Sequence, residues 1–131
     1  MNRRQIREQL FMLLFRVEFH SREDMTEQEK LFFEGNDAPV GEDAVYVDAK
    51  YNRIMEHLDE IDGMLNEKTE GWNVSRIGKA EISILRLAVY EIRFDDDVPT
   101  SVAINEAVEL AKKYGQDQSA GFVNGVLAKF A

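Results

Sequence analysis

Apolar residues recur at every third or fourth position through most of the chain, which is the spacing of amphipathic helices. The spacing is clearest in residues 98–130, where two apolar runs flank a short polar break and predict a helical hairpin. We expect Pro99 to open the first helix of this hairpin, and Gly115, a residue that tolerates a left-handed backbone, to close it. Asp117 or Ser119 is expected to cap the second helix.

The rest of the chain continues the helical pattern, with breaks marked by glycine, proline and capping residues. Thr26 and Glu29 form a capping-box pair that marks a short second helix. The long pattern from residue 42 onward is expected to divide at Asp59 or at Asp62 with Gly63. We therefore expect an all-α fold. Before the hairpin we expect helices at residues 3–20 and 26–34, followed by two helices in the long pattern that starts at residue 42. After a break at 71–74, a further helix is expected at residues 79–94.

The composition is that of a single domain of 131 residues, long enough to bury a core of its own. The sequence has no cysteine, which excludes disulfides, thiol catalysis and thiolate metal ligands. No apolar run approaches the ~20 residues that span a bilayer, and the N-terminal residues lack the features of a signal peptide. We therefore expect a cytoplasmic protein with no membrane partner.

The formal net charge of -9 disfavours indiscriminate binding to nucleic acid, but the charge is unevenly distributed. The net charge of successive segments is +3 for residues 1–17, -11 for residues 18–70 and -1 for residues 71–131. In the first segment, Arg3, Arg4 and Arg7 occupy the first two turns of the predicted helix, where cations oppose the helix macrodipole. Two interpretations remain open at this point: a solvated helix end, or a site for RNA or another polyanion.

The chain lacks the short motifs of phosphate-binding loops, dinucleotide-binding folds, zinc hydrolases and serine hydrolases. No catalytic residue or cofactor is therefore assigned. His57 lies close in sequence to Asp59, Glu60 and Asp62, but the paired E-x-x-H motifs of di-iron bundles are missing. We expect these acids to form a solvated face and no metal to bind.

Four polar residues fall within or beside apolar helical patterns and are expected to have structural roles. Arg86 lies in the most apolar predicted helix, and an unpaired buried arginine is costly, so we expect an ion pair, with Glu106 as a candidate partner. Asn105, Glu106 and Asn124 are expected to clamp the backbone or one another rather than to catalyse a reaction.

Four stretches of the sequence together resemble the NusB family of bacterial transcription antitermination factors. They are VPTSVAINEAVELAKKYGQDQSAGFVNGVLAKFA, IGKAEISILRLAVYEIRF, GWNVSRI and RRQIREQLFMLLF. The resemblance implies one domain over residues 1–131, a compact bundle of about seven helices in two subdomains, approximately 1–70 and 71–131. It also implies binding to a boxA-type single-stranded RNA together with a small ribosomal protein (NusE). The complex would join transcribing RNA polymerase with other Nus factors and promote transcription of ribosomal-RNA operons.

The resemblance also assigns site residues by position. Arg3, Arg4 and Arg7 would contact RNA, and Lys112 and Lys113 would extend the phosphate path. Gln118, Ser119 and Phe122 match a segment that lies near RNA in the family, although Ser119 as a cap and Phe122 as a core residue remain alternatives. Phe15 and Glu81 would belong to the protein-partner surface. Family members often carry an acid at position 118 and can carry Tyr at position 15, so Gln118 removes a negative charge and Phe15 lacks a hydroxyl.

Two other functions remain open on the sequence alone. The acidic middle of the chain favours a helical scaffold that binds proteins without RNA specificity of its own. A NusB-like domain also serves as the accessory RNA-binding domain of a ribosomal-RNA methyltransferase, but 131 residues leave no room for a catalytic domain. A homodimer that hides the arginines of the first helix is a further alternative for the state of the protein.

Overall fold

The structure is a computed structural model that describes residues 1–69 and 74–131. Over these residues it contains seven α-helices, one short 3₁₀ helix and no β-strand, which confirms the all-α prediction of about seven helices. Its internal contacts divide the chain into two compact units, Met1–Met55 and Glu56–Ala131. This division lies earlier in the chain than the approximate one near residue 70. The expected break at Gly71, Trp72 and Asn73 lies outside the described residues.

The first unit consists of α1 (Arg3–Val17), α2 (Met25–Phe33) and nearly all of α3 (Gly41–Glu56). Its helices bury apolar side chains, among them Leu10, Leu13, Phe32, Val47 and Ile54. The helix α1 ends at Val17 instead of residue 20, and the amide of Glu18 donates to the carbonyl oxygens of the last turn.

The second unit contains α4 (Leu58–Lys68), a 3₁₀ helix (Val74–Arg76), α5 (Lys79–Phe94), α6 (Thr100–Tyr114) and α7 (Ser119–Ala128). The helix α5 packs against α4, α6 and α7, and all ten residues from Ile82 to Glu91 are buried. A helix buried on every side has to be apolar nearly all round, which agrees with the nearly continuous apolar run in the middle of α5. Its observed bounds are those that the sequence predicted.

Two helix boundaries of the first half differ from the prediction. The helix α2 begins at Met25 and makes no side-chain cap hydrogen bond at Asp24, so the predicted capping box of Thr26 and Glu29 is wrong. The break between α3 and α4 falls at His57, not at Asp59 or Asp62 with Gly63. Contacts distant in sequence fix this break, because the His57 ring stacks on Phe94 with ring centroids 4.1 Å apart.

Arg86 forms the structural ion pair that was expected of it, but with a partner that sequence reasoning missed. Its Nε and Nη2 atoms each donate to one carboxylate oxygen of Asp62, and both distances are 2.9 Å. This two-point geometry offsets the cost of burying the guanidinium. Asn105 and Asn124 are exposed, which contradicts the expectation that they clamp the interior, while Glu106 is half-buried.

Candidate nucleic-acid interface

The cationic start of α1 is held in helical conformation by a reciprocal cap. The Asn2 side chain accepts a hydrogen bond from the Gln5 amide at 2.8 Å, and the Gln5 side chain accepts one from the Asn2 amide at 2.9 Å. The cap satisfies amides that a helix start leaves unpaired, so it offsets the unfavourable placement of cations there. Arg3 and Arg4 are exposed beside this cap and can reach a polyanion in solvent.

Arg7 departs from the expectation of a three-arginine tip. Its residue is only 7% exposed, whereas Arg3 and Arg4 are open to solvent. Since i and i+4 positions lie on one face of a helix, Arg7 falls on the same side of α1 as the buried residues Leu10, Phe11 and Leu14. The exposed positive charge at the start of α1 is therefore carried by two arginines rather than three.

The other residues that the resemblance assigned to RNA lie in the last turn of α6, in the turn that follows it, and in the first turn of α7. Lys112 and Lys113 are exposed in the last turn of α6; Lys112 approaches Glu109 at 3.5 Å, and the Lys113 Nζ lies 5.4 Å from the Tyr114 ring centroid. Gln118 is exposed and Phe122 is half-buried. Phe122 is therefore not a fully buried core residue.

Ser119 is buried and links this segment to the start of α5. Its hydroxyl accepts a hydrogen bond from the Gln116 amide at 2.8 Å and donates one to Glu81 Oε1 at 2.7 Å. Ser119 is the first residue of α7, and Gln118 before it makes no side-chain cap hydrogen bond. Neither Asp117 nor Ser119 therefore serves as the cap that the sequence predicted. Ser119 instead links the start of α7 to Glu81 of α5, and the two residues are 38 positions apart in the sequence.

The close turn after α6 explains the need for glycine at position 115. Gly115 has φ -93° and ψ -168°, so the expected left-handed conformation is absent. A Cβ atom at this position would instead lie 2.5 Å from the Ser119 Oγ and 2.7 Å from the Ala111 carbonyl oxygen. The glycine is therefore required by the approach of Ser119 and not by an unusual backbone angle.

An open cavity of about 990 Å³ in the second unit lies between the start of α5 and the turn that joins α6 to α7. Its lining combines a cation, amides, carboxylates and an aromatic ring, contributed by Arg76, Ile77, Gly78, Glu81, Gln116, Asp117, Gln118, Ser119 and Phe122. We call this group the α6–α7 cavity. An unpaired base can stack on an exposed part of the Phe122 ring while a cation such as Arg76 contacts phosphate. Glu81, assigned to the protein partner, lies in the same cavity as three residues assigned to RNA.

Arg76 is the cation of this cavity, and sequence reasoning did not single it out as a site residue. In the sequence it belongs only to the GWNVSRI stretch, and its exposed side chain lies at the end of the 3₁₀ helix. The one signal in the sequence is its position three residues before Lys79, which opens α5. A cation at a helix approach is too common a pattern to identify a site.

Phe15, the other residue assigned to a protein partner, belongs to an aromatic row that begins at Phe11 on α1 and ends at Phe19, just beyond the helix. Its ring centroid lies 5.8 Å from that of Phe11 and 5.0 Å from that of Phe19. Exposure rises along this row, from the buried Phe11 through the half-buried Phe15 to Phe19, which is 55% exposed. The outer end of the row therefore presents apolar surface of the kind that protein interfaces use.

The described residues contain neither a candidate metal site nor a candidate membrane-spanning helix. Within 1–69 and 74–131, no group of three or more histidine or acidic side chains is arranged to hold a metal ion. His57 uses its Nδ1 atom to contact Glu60 Oε1 at 3.0 Å. In the same ranges no helix has the length and apolarity required to cross a membrane.

The fold and these surfaces define an all-helical protein with exposed cations, amides and an aromatic ring, the groups that contact nucleic acid. The profile of the NusB family matches residues 4–131. The chain belongs to the NusB family, which confirms the resemblance found in the sequence.

Curated relatives and solved structures agree with this assignment. The chain is 53% identical to the transcription antitermination protein NusB of Agathobacter rectalis, with 100% of both chains covered. It is 51% identical to the protein of the same name from Lachnoclostridium phytofermentans, with 98% of each covered. Among structures, T. maritima NusB is 34% identical with a TM-score of 0.88, covering 100% of this chain and 91% of that one.

A solved complex of antitermination factors NusB and NusE with double-stranded RNA also contains a similar chain. That chain is 26% identical with a TM-score of 0.85, and the match covers 98% of the present chain and 94% of that one.

Proposed function

We propose that this protein is a transcription antitermination factor that binds RNA together with a NusE-type ribosomal protein. The observation that carries the proposal is its likeness, over 98% of its length, to a NusB chain solved with NusE and RNA. The RNA is a boxA-type single strand, and the assembly joins transcribing RNA polymerase with other Nus factors in the cytoplasm. The function is one of assembly, with no catalytic step or cofactor.

The exposed arginines of α1 supply sequence-independent phosphate contacts. Arg3 and Arg4 are the cations best placed for this role, because both are exposed at a capped helix start. Contacts of this kind release counterions, so the affinity they contribute falls as salt rises. Lys112, Lys113 and Arg76 add exposed positive charge in the second unit.

The α6–α7 cavity supplies contacts to the bases. A half-buried Phe122 ring offers a stacking surface, and the exposed Gln118 amide can donate to and accept from a base edge. Unpaired bases suit such a surface, because the edges and faces of a paired base are largely occupied. Glu81 and the aromatic row of α1 supply the contacts to the protein partner.

The test replaces Arg3 and Arg4 together by alanine and measures binding of the NusE-partnered protein to boxA-type RNA and to a scrambled RNA at several salt concentrations. We expect weaker binding and a salt dependence whose logarithmic slope is smaller by roughly two, one unit for each lost phosphate contact. The fold should be unaffected, because both side chains are exposed.

A matched control removes the same number of charges elsewhere in the first unit, by Arg22→Ala with Arg53→Ala, which are also exposed. An equal loss of affinity in the control would assign the effect to net charge alone. Unchanged affinity and slope in Arg3→Ala with Arg4→Ala would remove the start of α1 from the RNA site.

A protein-binding scaffold without RNA specificity is the second candidate function. The observation that favours it is the acidic segment 23–48, which contains nine acidic residues and one lysine. A NusE-type partner that binds the protein, in a pair that does not distinguish boxA-type from scrambled RNA, would support this candidate instead.

A further inference from the structure

A second concave surface lies in the first unit, and the proposed RNA function does not use it. It encloses about 580 Å³ between α2, the loop that follows it, and α3. We call it the α2–α3 surface; it is lined by Glu29, Lys30, Phe33, Pro39, Val40, Gly41, Ala44, Val45 and Asp48.

Part of its lining is apolar and open to solvent. Val40 is 78% exposed and Val45 is 71% exposed, so two β-branched apolar side chains of the lining are accessible to a ligand. Scattered exposed valines are ordinary, but exposed apolar side chains gathered in a concavity are typical of binding sites. Removal of both valines from water would favour association.

The loop before α3 fixes Val40 in this exposed position. Pro39 is buried on one side of Val40, and Gly41 on the other side has φ +58°, a left-handed angle that side-chain-bearing residues rarely adopt. A proline with restricted φ and a glycine in a left-handed conformation therefore direct the chain so that Val40 faces solvent. Gly41 is also the first residue of α3, so this geometry is tied to the helix that carries Val45 and Asp48.

The edge of the surface is anionic. Segment 23–48, which contributes the whole lining, has nine acidic residues against the single cation Lys30. Glu29 and Asp48 are neighbours across the surface: burial, followed by interaction with the Asp48 carboxyl, raises the pKa of Glu29. Asn52 donates one hydrogen bond to Glu29 Oε2 at 3.3 Å. Two carboxyl groups held this close favour an additional cation.

The phenol of Tyr51 lies in the field of the same carboxylates. Tyr51 is 1% exposed, and within the described residues its hydroxyl makes no hydrogen bond. Burial and the charges of Glu29 and Asp48 raise its pKa, so the phenol stays protonated and neutral beside them.

We propose that the α2–α3 surface is a second docking site, which binds a protein segment that carries a lysine or arginine beside an apolar side chain. The apolar side chain packs on Val40 and Val45, and the cation contacts Glu29 and Asp48. Nucleic acid is a poor occupant, because the segment repels phosphate. The site is independent of the proposed RNA function and shares no residue with the α6–α7 cavity.

The test uses three synthetic peptides of equal length in which leucine alternates with arginine, serine with arginine, or leucine with glutamate. Binding to the full chain is measured by fluorescence anisotropy at physiological salt. We expect the leucine–arginine peptide to bind most tightly, because it alone has both groups. Val40→Ser with Val45→Ser should weaken its binding by about fivefold or more and leave the serine–arginine peptide unaffected. Asp48→Asn should weaken both arginine peptides.

Two matched controls lie on the second unit. Val102→Ser replaces another exposed valine, and Glu67→Gln removes another exposed acid, so neither should alter peptide binding. Thermal melts of every variant check that the fold is retained, as expected for substitutions at the exposed Val40 and Val45.

Four results would each overturn the proposal. Equal binding of the leucine–arginine and serine–arginine peptides, or binding insensitive to Val40→Ser with Val45→Ser, would show diffuse charge attraction. A dimer in light scattering that the two serine substitutions dissociate would assign the surface to a second copy of the chain. Loss of RNA affinity in the same variants of the NusE-partnered protein would assign it to RNA.

Discussion

The start of α1 and the middle of α5 use arginine for opposite purposes. Arg3 and Arg4 are exposed at a helix end whose cap bonds are made by Asn2 and Gln5, so their side chains are in contact with solvent. The Arg86 side chain is 8% exposed and is held by both oxygens of Asp62. A charge in water interacts weakly with its own protein, whereas a buried charge is tolerated only with a partner. Residue type alone therefore does not separate a binding arginine from a structural one.

The same contrast applies to the polar residues of the α6–α7 cavity. Gln118 is exposed and remains available to a base, while the neighbouring Ser119 is buried and both of its hydrogen bonds are internal. We therefore assign Ser119 as a positioning residue, which acts through Glu81 and Gln116. Arg7 is buried, so we group it with the structural residues Arg86 and Ser119.

The largest effect on stability is expected from Arg86→Ala. It leaves the Asp62 carboxylate, which is 23% exposed, without its two-point partner and removes a long side chain from a packed helix. We expect a loss of about 3 kcal/mol in the free energy of unfolding, measured by urea denaturation. Arg3→Ala is the control and should lie within about 0.5 kcal/mol of the parent protein. Similar losses for the two variants would invalidate the division into structural and binding arginines.

Gly115→Ala is expected to have the next largest effect. The added methyl group would approach Ser119 Oγ at 2.5 Å and the Ala111 carbonyl oxygen at 2.7 Å, and the carbonyl belongs to the backbone of α6. Relief of this contact must shift α7 or the turn, so we expect a loss of about 1–3 kcal/mol, visible as a lower Tm. RNA affinity should fall with it if the turn positions the cavity.

Gly125→Ala is a matched control in α7, because a Cβ there meets no atom within 4 Å. Alanine at this helical position should stabilise the protein by roughly 0.5–1 kcal/mol. A destabilised Gly125→Ala, or a neutral Gly115→Ala, would contradict the packing described for the turn.

Elements that the pattern of apolar and polar residues marks directly could be predicted from the sequence. The bounds of α5 follow from its continuous apolar character, and the hairpin of α6 and α7 follows from helical spacing on either side of Gly115. The exposed Arg3 and Arg4 follow from their place before the first apolar residue of α1. In each case the signal lies within the residues of the element itself, although packing between helices stabilises α5 and the hairpin.

Features that depend on distant contacts could not be predicted. The break at His57 is fixed by Phe94, the partner of Arg86 comes from α4, and the bond from Ser119 to Glu81 spans 38 residues. Arg7 is a different case: its helical spacing from Leu10, Phe11 and Leu14 places it on the buried face of α1, a signal that is present in the sequence but is outweighed by its nearness to Arg3 and Arg4. The charged residues of the candidate site can therefore be predicted from the sequence, but the contacts that assemble the cavity cannot.

Ser119→Ala is expected to have a smaller effect than the glycine substitution. It removes one bond to the Gln116 amide and one to Glu81, and should cost about 1–2 kcal/mol in the free energy of unfolding. Because Ser119 positions other groups, binding of the NusE-type partner and of RNA should also weaken, which a purely structural loss elsewhere would not cause. Ser101→Ala, at an exposed position of α6, is the control. Altered stability with unchanged binding would limit Ser119 to a structural role.

The smallest effect concerns Glu29, whose partly buried carboxyl lies beside that of Asp48 and accepts a hydrogen bond from Asn52. Burial and the Asp48 carboxyl raise its pKa above the ordinary value of 4.5, so the folded protein favours the protonated form. The stability that protonated Glu29 contributes is complete below pH 4.5 and is lost as the pH rises through the raised pKa. Glu29→Gln should therefore have little effect near pH 4 and should raise Tm increasingly towards pH 7, measured by thermal melts across this range. A Tm difference for Glu29→Gln that is constant or shrinks with rising pH would show that burial and the Asp48 carboxyl do not destabilise the ionised form of Glu29.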